Sequence, residues 1–252
     1  MRTAITISAA LALAFAASPA SAKTTNVSAN GNKTVNTTVT GHNNNVNVSV
    51  TNNNNNVTVT EKGHVNNANI AVVGNNDKVT VDEYGRINKA SISIDGTGDS
   101  VNVVQIGKVN SISANVFGNS NFVGGLQIGG ANNFRAYVRG EDDIVQSEQF
   151  GRGGNFAKVV EIGNWSDGAF NAAIIEQLGR FNVAKIFQLN AQLQIAFVNQ
   201  LGQVDVAIVT QVDDPPQQAA ALNAVAALFS GNSWMLCGEN ERTASQRWCN
   251  NR

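Results

Sequence analysis

"QIGKVNSISANVFGNSNFVGGLQIG", running from Gln105 to Gly129, carries the same phrase at both ends and a third glycine, Gly118, midway between Gly107 and Gly129. Extending the step of eleven outward gives Gly41, Asn52, Gly63, Gly74, Gly85, Gly96, Gly107, Gly118, Gly129, Gly140 and Gly151. The one exception, Asn52, is the other residue type that accepts positive φ. With 23 glycines in 252 residues, composition alone does not produce such a register.

The residues between these glycines specify geometry. Six, four and two places before them stand apolar or small side chains: Ala68, Ile70 and Val72 before Gly74; Ala90, Ile92 and Ile94 before Gly96; Ile112, Ala114 and Val116 before Gly118. Alternation of period two predicts a half-buried strand, about 17 Å long for five residues. Three places after each glycine comes an Asx with few exceptions: Asn44, Asn55, Asn66, Asp77, Asn88, Asp99, Asn110, Asn121, Asn132 and Asp143. Such side chains bond their own backbone and hold a turn. Each unit is thus one short strand and one corner.

A strand this short cannot bury its inward face alone, so the units must stack. The position two before the glycine sets the size of a full coil. It reads Glu61, Val72, Glu83, Ile94, Gln105, Val116, Gln127, Val138, Gln149, with a carboxylate or amide alternating with a branched aliphatic. The repeat is therefore 22 residues, two arcs per coil. Stacked at about 4.8 Å, the coils form a two-sheet β-solenoid.

A buried amide has two donors and two acceptor lone pairs, and bonds the amides above and below only when it is stacked. After Gly151 the glycine step lengthens, to Gly163, Gly179 and Gly202, with Asn164 to Phe170 as a longer corner. Glu161, Gln177, Gln188, Gln200 and Gln211 continue the polar inward column there, now on every arc. The full column reads Glu61, Glu83, Gln105, Gln127, Gln149, Glu161, Gln177, Gln188, Gln200 and Gln211. The turn glycines of the polar arcs are Gly63, Gly85, Gly107, Gly129, Gly151, Gly179 and Gly202.

The fold class expected is all-β: a solenoid of 22-residue coils over residues 32–213, closed by a C-terminal segment, 214–252, with a short helix and a disulfide loop. Asp214, Pro215, Pro216 and Gln217 read as a helix start, and Leu222, Val225, Ala226 and Phe229 form its apolar stripe. Residues 1–22 read as a signal peptide, with Arg2, an apolar run from Ile5 to Ala17 and Ala20-Ser21-Ala22 as cleavage site, too short to span a bilayer. Residues 23–31 read as a flexible targeting segment. Export favours a disulfide between Cys237 and Cys249.

Composition narrows the functional classes. Charged residues are 14%, aromatics 6%, and the formal net charge is -1, which argues against a nucleic-acid polyanion as the main ligand. No Ser/His/Asp grouping, phosphate-binding loop or His/Cys ligand cluster is visible, so no enzyme, cofactor or metal is expected. The step of eleven also differs from the nine-residue repeat of calcium-binding β-rolls. Just after the repeat glycine, every second unit reads His42, His64, Arg86, Lys108, Gly130, Arg152. This basic edge column either keeps fibres soluble and apart or binds acidic polysaccharide or DNA.

Two stretches spell a family motif. "QLGRFNVAKIFQ" (Gln177 to Gln188) and "QLGQVDVAIVTQ" (Gln200 to Gln211) resemble the curlin repeat, Gln-x-Gly-x-x-Asn-x-Ala-x-x-x-Gln, with Asp205 for Asn in the second. "QIGKVN" from Gln105 and "QIGGAN" from Gln127 match its first half, and "QFGRGGNFA" from Gln149 matches with one inserted residue. The resemblance covers about Gln105 to Gln211, with related arcs back to about Asn32. It implies a curli-type functional amyloid subunit, exported through the periplasm and a dedicated outer-membrane channel. Such a subunit polymerises with itself and other curlin subunits into cell-surface fibres of the biofilm matrix. The alternative class is a monomeric secreted solenoid that binds a polymer or surface, such as polysaccharide or ice.

Overall fold

Side chains that alternate between apolar and polar along each arc give every strand one face for the core and one for solvent, and glycine or Asx at each end turns the chain back. The computed structural model describes residues 24–163, 171–191, 194–212 and 236–237. Ten strands form one sheet: β1 (Thr24–Ala29), β3 (Asn45–Thr51), β5 (Asn67–Asn75), β7 (Lys89–Thr97), β9 (Ser111–Asn119), β11 (Asn133–Glu141), β13 (Phe156–Gly163), β15 (Val183–Ala191), β17 (Val206–Val212) and β18 (Leu236–Cys237). Eight form the other: β2 (Lys33–His42), β4 (Asn55–His64), β6 (Lys78–Arg86), β8 (Ser100–Lys108), β10 (Phe122–Gly130), β12 (Ile144–Gly153), β14 (Asn171–Arg180) and β16 (Gln194–Gln203). Up to β17 the chain passes from one sheet to the other at every corner, and strands two apart in sequence pair in parallel. This is the two-arc β-solenoid that the repeat predicts.

Between the sheets lies one continuous apolar core. The eight-stranded sheet contributes Val57, Val59, Val79, Val81, Val101 and Val103; the other contributes Val46, Val48, Ala68, Ile70, Ala90, Ile92 and Ile112, all buried. Size is traded across the gap where the core is widest in side chain: Phe134 is fully buried, and a Cβ on the facing Gly125 would stand 3.1 Å from its ring. The absence of a side chain at Gly125 is what admits the ring at native packing density.

The repeat glycines are where coils come closest. Gly63 has φ of +135°, and a Cβ there would lie 1.8 Å from the carbonyl oxygen of Gly85 one coil on. Only glycine fits such a contact in that conformation.

The register follows the sequence spacing. Ladder bonds join residues 22 apart from Gln105 to Gln149, 28 apart from Gln149 to Gln177, and 23 apart from Gln177 to Gln200. The extra length falls between β13 and β14, outside the strands, so the inward column stays aligned. The single residue inserted after Gly151 is taken up by an irregularity between Phe150 and Gly153.

At the N-terminal end the sheet starts earlier than the repeat suggested. β1 pairs with β3 from Thr24↔Asn45 to Ala29↔Val50, inside the stretch 23–31 read as a targeting segment. The expected C-terminal helix lies outside the described residues, as does Cys249 and with it the Cys237–Cys249 disulfide. The backbone of Leu236–Cys237 pairs with Ile208 and Val209 at the edge of β17.

Candidate functional site

The inward polar residues belong to two ladders, one per sheet, rather than to a single column. In the eight-stranded sheet Glu61, Glu83, Gln105, Gln127, Gln149, Gln177 and Gln200 are successive register partners. In the ten-stranded sheet Glu161, Gln188 and Gln211 are partners, continuing the line of Val72, Ile94, Val116 and Val138. All ten polar residues are buried.

The amides form one-way chains. Gln105 Nε2 donates to Gln127 Oε1 at 2.8 Å, Gln127 to Gln149 at 2.7 Å, Gln149 to Gln177 at 2.7 Å and Gln177 to Gln200 at 2.7 Å. In the other sheet Gln188 Nε2 donates to Gln211 Oε1 at 2.8 Å. The second hydrogen of each inner amide goes across the corner to a backbone carbonyl: Gln127 to Ser111, Gln149 to Asn133, Gln177 to Phe156, Gln188 to Ala172. Those carbonyls fix which amide atom is nitrogen, since an oxygen there would face an oxygen.

Sequence reading gave the Asx residues only a local role in their own turn, and the structure adds a second one. Asn44 Nδ2 does bond the carbonyl of Thr40, four residues back. Its Oδ1, however, accepts the backbone N–H of Asn66 in the next coil, and Asn66 does the same for Asn88, and Asn88 for Asn110. At the opposite corner the series is Asn55, Asp77, Asp99, Asn121 and Asp143. Both corners therefore carry buried side-chain ladders parallel to the amide ladders.

Carboxylic acids take the place of amides at some rungs of these ladders. At the corner that holds the acids, Asn55 Nδ2 and Asn121 Nδ2 also donate to a glycine carbonyl of the next coil, Gly74 and Gly140. Asp77, Asp99 and Asp143 have no such donor, and each has a buried Oδ2 without a hydrogen-bond partner. Burial raises Asp77 to about 6, Asp99 to about 7 and Asp143 to about 6, in each case offset in part by N–H groups of the next coil. Glu61 and Glu83, adjacent in the inward ladder, are both pushed up by burial, and for Glu83 the neighbouring Glu61 charge adds to it. Glu161 lies well above the carboxylate range through burial and then the charge of Asp143.

The basic edge is a real column. His42, His64, Arg86, Lys108 and Gly130 are successive partners, and Arg152 falls at the same corner. All five charged or ionisable members are exposed, and the His42 and His64 rings stack with centroids 4.9 Å apart. Arg180, which follows the turn glycine Gly179 and which sequence reading did not include, pairs with Gly153 beside Arg152 and extends the basic edge.

Beside these cations runs an exposed apolar file, also missed: Val65, Ile87, Val109, Phe181 and Val204. These residues adopt φ near 60°, an outlying conformation for β-branched side chains. The cause is the coil-to-coil bond: Val65 N–H donates to His42 O, Ile87 to His64 O and Val109 to Arg86 O, each at 2.9 Å. A third file, Ile106, Ile128, Phe150, Leu178 and Leu201, flanks the column on the strand side. It ends in Leu201, 70% exposed.

Among the described residues no group of three or more His, Cys, Asp or Glu is placed to hold a metal ion. Comparison with protein-family models, with curated proteins and with solved structures finds no match to this chain.

Proposed function

We propose that this chain is a curlin-type structural subunit of an extracellular amyloid fibre, exported through an outer-membrane channel and assembled in a biofilm matrix or on the cell surface. The observation that carries the reading is the pair of inward amide ladders. Gln127, Gln149 and Gln177 each accept from the amide of one neighbouring coil and donate to that of the other, so such a side chain is stable only inside a stack. Among the described residues no strand lies beyond β16, so the longer ladder ends at Gln200 on an edge strand, where a further coil could add. The curlin-like spelling of Gln177 to Gln188 and Gln200 to Gln211 falls on β14 to β17, the coils nearest that edge.

The test is direct. Purified chain lacking residues 1–22 should form thioflavin-positive, detergent-resistant fibres with meridional diffraction at about 4.7 Å. A chain that folds reversibly and stays monomeric under all assembly conditions would sink the fibre reading.

The exposed basic column favours a second reading, a solenoid that remains single and binds an acidic polymer along that edge. Its neighbours at the corner are apolar rather than acidic, which leaves the cations for an outside partner. Binding by that route falls steeply as salt rises, whereas a column that serves only to keep chains apart shows no polymer binding at any salt.

A further inference from the structure

Both amide ladders begin in the same way, with a buried glutamic acid next to the first glutamine. Glu83 is the register partner of Gln105, and Glu161 is the register partner of Gln188. At each of these junctions the same atom is left over. Gln105 Oε1 and Gln188 Oε1 are buried without a donor, whereas the carbonyl oxygens of Gln127, Gln149, Gln177, Gln200 and Gln211 each accept from the preceding amide. Facing those bare oxygens, Glu83 and Glu161 have both carboxyl oxygens buried and without a hydrogen bond of ordinary geometry. A carboxylate there would set acceptor against acceptor. A carboxylic acid would supply the missing hydrogen.

We propose that Glu83 and Glu161 are held as neutral acids whose O–H groups donate to Gln105 Oε1 and Gln188 Oε1, with Glu61 donating in turn to Glu83, so that the solenoid folds as a proton-loaded stack. Each acid takes up one proton from solvent on folding and releases it on unfolding; no other bond changes. The surroundings offer no cation. Glu61 has Val39 on one side and Glu83 on the other, and the backbone N–H groups that face the pair, of Ala68 toward Glu61 and of Asn67 and Ala90 toward Glu83, favour the charged forms by less than burial opposes them. Glu161 has Val138 and Gln188 on either side and Asp143, itself an acid, facing it. No lysine or arginine is among the buried residues described. Burial acts to keep these protons on, and for Glu161 the charge of Asp143 adds to it. These protons belong to the single folded chain, whether or not it joins a fibre.

The sign of the pH effect follows. The folded values lie above those of the unfolded chain, so the native state holds more protons between the ordinary carboxylate range and the raised values. Stability is fully present below the ordinary range and is lost as pH rises through the raised values, by about tenfold in the folding constant per proton per pH unit.

The experiment compares the chain from residue 23 onward with its Glu61→Gln, Glu83→Gln, Glu161→Gln triple variant, and with Glu148→Gln on the outward face as control. Infrared spectra at neutral pH should show the carbonyl band of a buried neutral carboxylic acid in the wild type and the control. That band should weaken in the triple variant, leaving any residue from Asp77, Asp99 and Asp143. Denaturant midpoints measured from pH 5 to pH 9 should fall steeply for the wild type and control, and much less for the triple variant. Glutamine extends the ladders in the same register, so that variant is expected to fold. A wild type without the acid band overturns the proposal, as does a triple variant with the wild-type pH slope. Stabilisation of the wild type by added calcium at neutral pH would also overturn it, by showing carboxylates that hold a cation.

Discussion

Gln127 shows how much one residue is tied to its place. It accepts from Gln105, donates to Gln149 and donates to the Ser111 carbonyl. Gln127→Leu keeps the volume and leaves three buried polar groups unmatched. At about 1–3 kcal/mol each, reduced by local relaxation, the loss should be on the order of 3 kcal/mol, read as a lower denaturant midpoint. An unchanged midpoint would show that the ladder adds nothing to stability. At the corner, Asp99 titrates at about 7, raised by burial, lowered in part by the Asn121 N–H and raised again by the Asp77 charge. Its folded value is above the unfolded one, so its contribution is present at low pH and lost as pH rises through about 7. Asp99→Asn removes the titration and restores a donor of the kind Asn121 directs at Gly140. The variant should match the wild type near pH 5 and exceed it in midpoint near pH 8; equal midpoints at both would place no proton on Asp99.

At the scale of a strand and its corner, two glycines at successive register positions of neighbouring coils provide an internal comparison. Gly107 has φ of +128°, and an added Cβ would stand 1.9 Å from the Gly129 carbonyl oxygen, whereas the same atom on Gly130 would find nothing nearer than 3.6 Å. Gly107→Ala should cost about 3 kcal/mol through strain and coil separation, and Gly130→Ala should fall within about 0.5 kcal/mol of the wild type in thermal or chemical unfolding. The period of Gly107, Gly118 and Gly129 makes strands, corners, coil size and the inward face legible in the sequence, because each depends on spacing along one chain. What spacing does not state is which neighbour a side chain bonds. Asn66 looks like an ordinary turn residue, and its bond to the N–H of Asn88 exists only because another coil lies 22 residues on. Val65 and Ile87 were unreadable for a related reason. Local preference argues against β-branched residues at φ near 60°, and the tertiary bonds to His42 and His64 override it. The start of β1 was likewise hidden, since Thr24 to Ala29 lacks the glycine punctuation and is a strand by virtue of pairing with β3.

For the whole molecule, the two sheets finish differently. Among the described residues the eight-stranded sheet ends at β16, while β17 in the other carries β18 on its edge, contributed by the tail. Ile208 and Thr210 share the register of the outward Lys185 and Phe187, yet both are buried. A chain ending at Val212 loses β18 and exposes the edge of β17. It should therefore polymerise faster than the full chain in a thioflavin assay, and an equal rate would dismiss a capping role for residues 213–252. The amide chains add a different kind of constraint. Hydrogens in both sheets point the same way along the stack, from Gln105 toward Gln200 and from Gln188 toward Gln211, so their dipoles sum instead of cancelling. The molecule consequently has a head and a tail of unlike chemistry: aliphatic Val39 and Ala29 stand at one end of the inward lines, amides at the other. Two copies meeting tail to tail would bring nitrogen against nitrogen, so any material built from this chain is a vector, with one growing end distinguishable from the other.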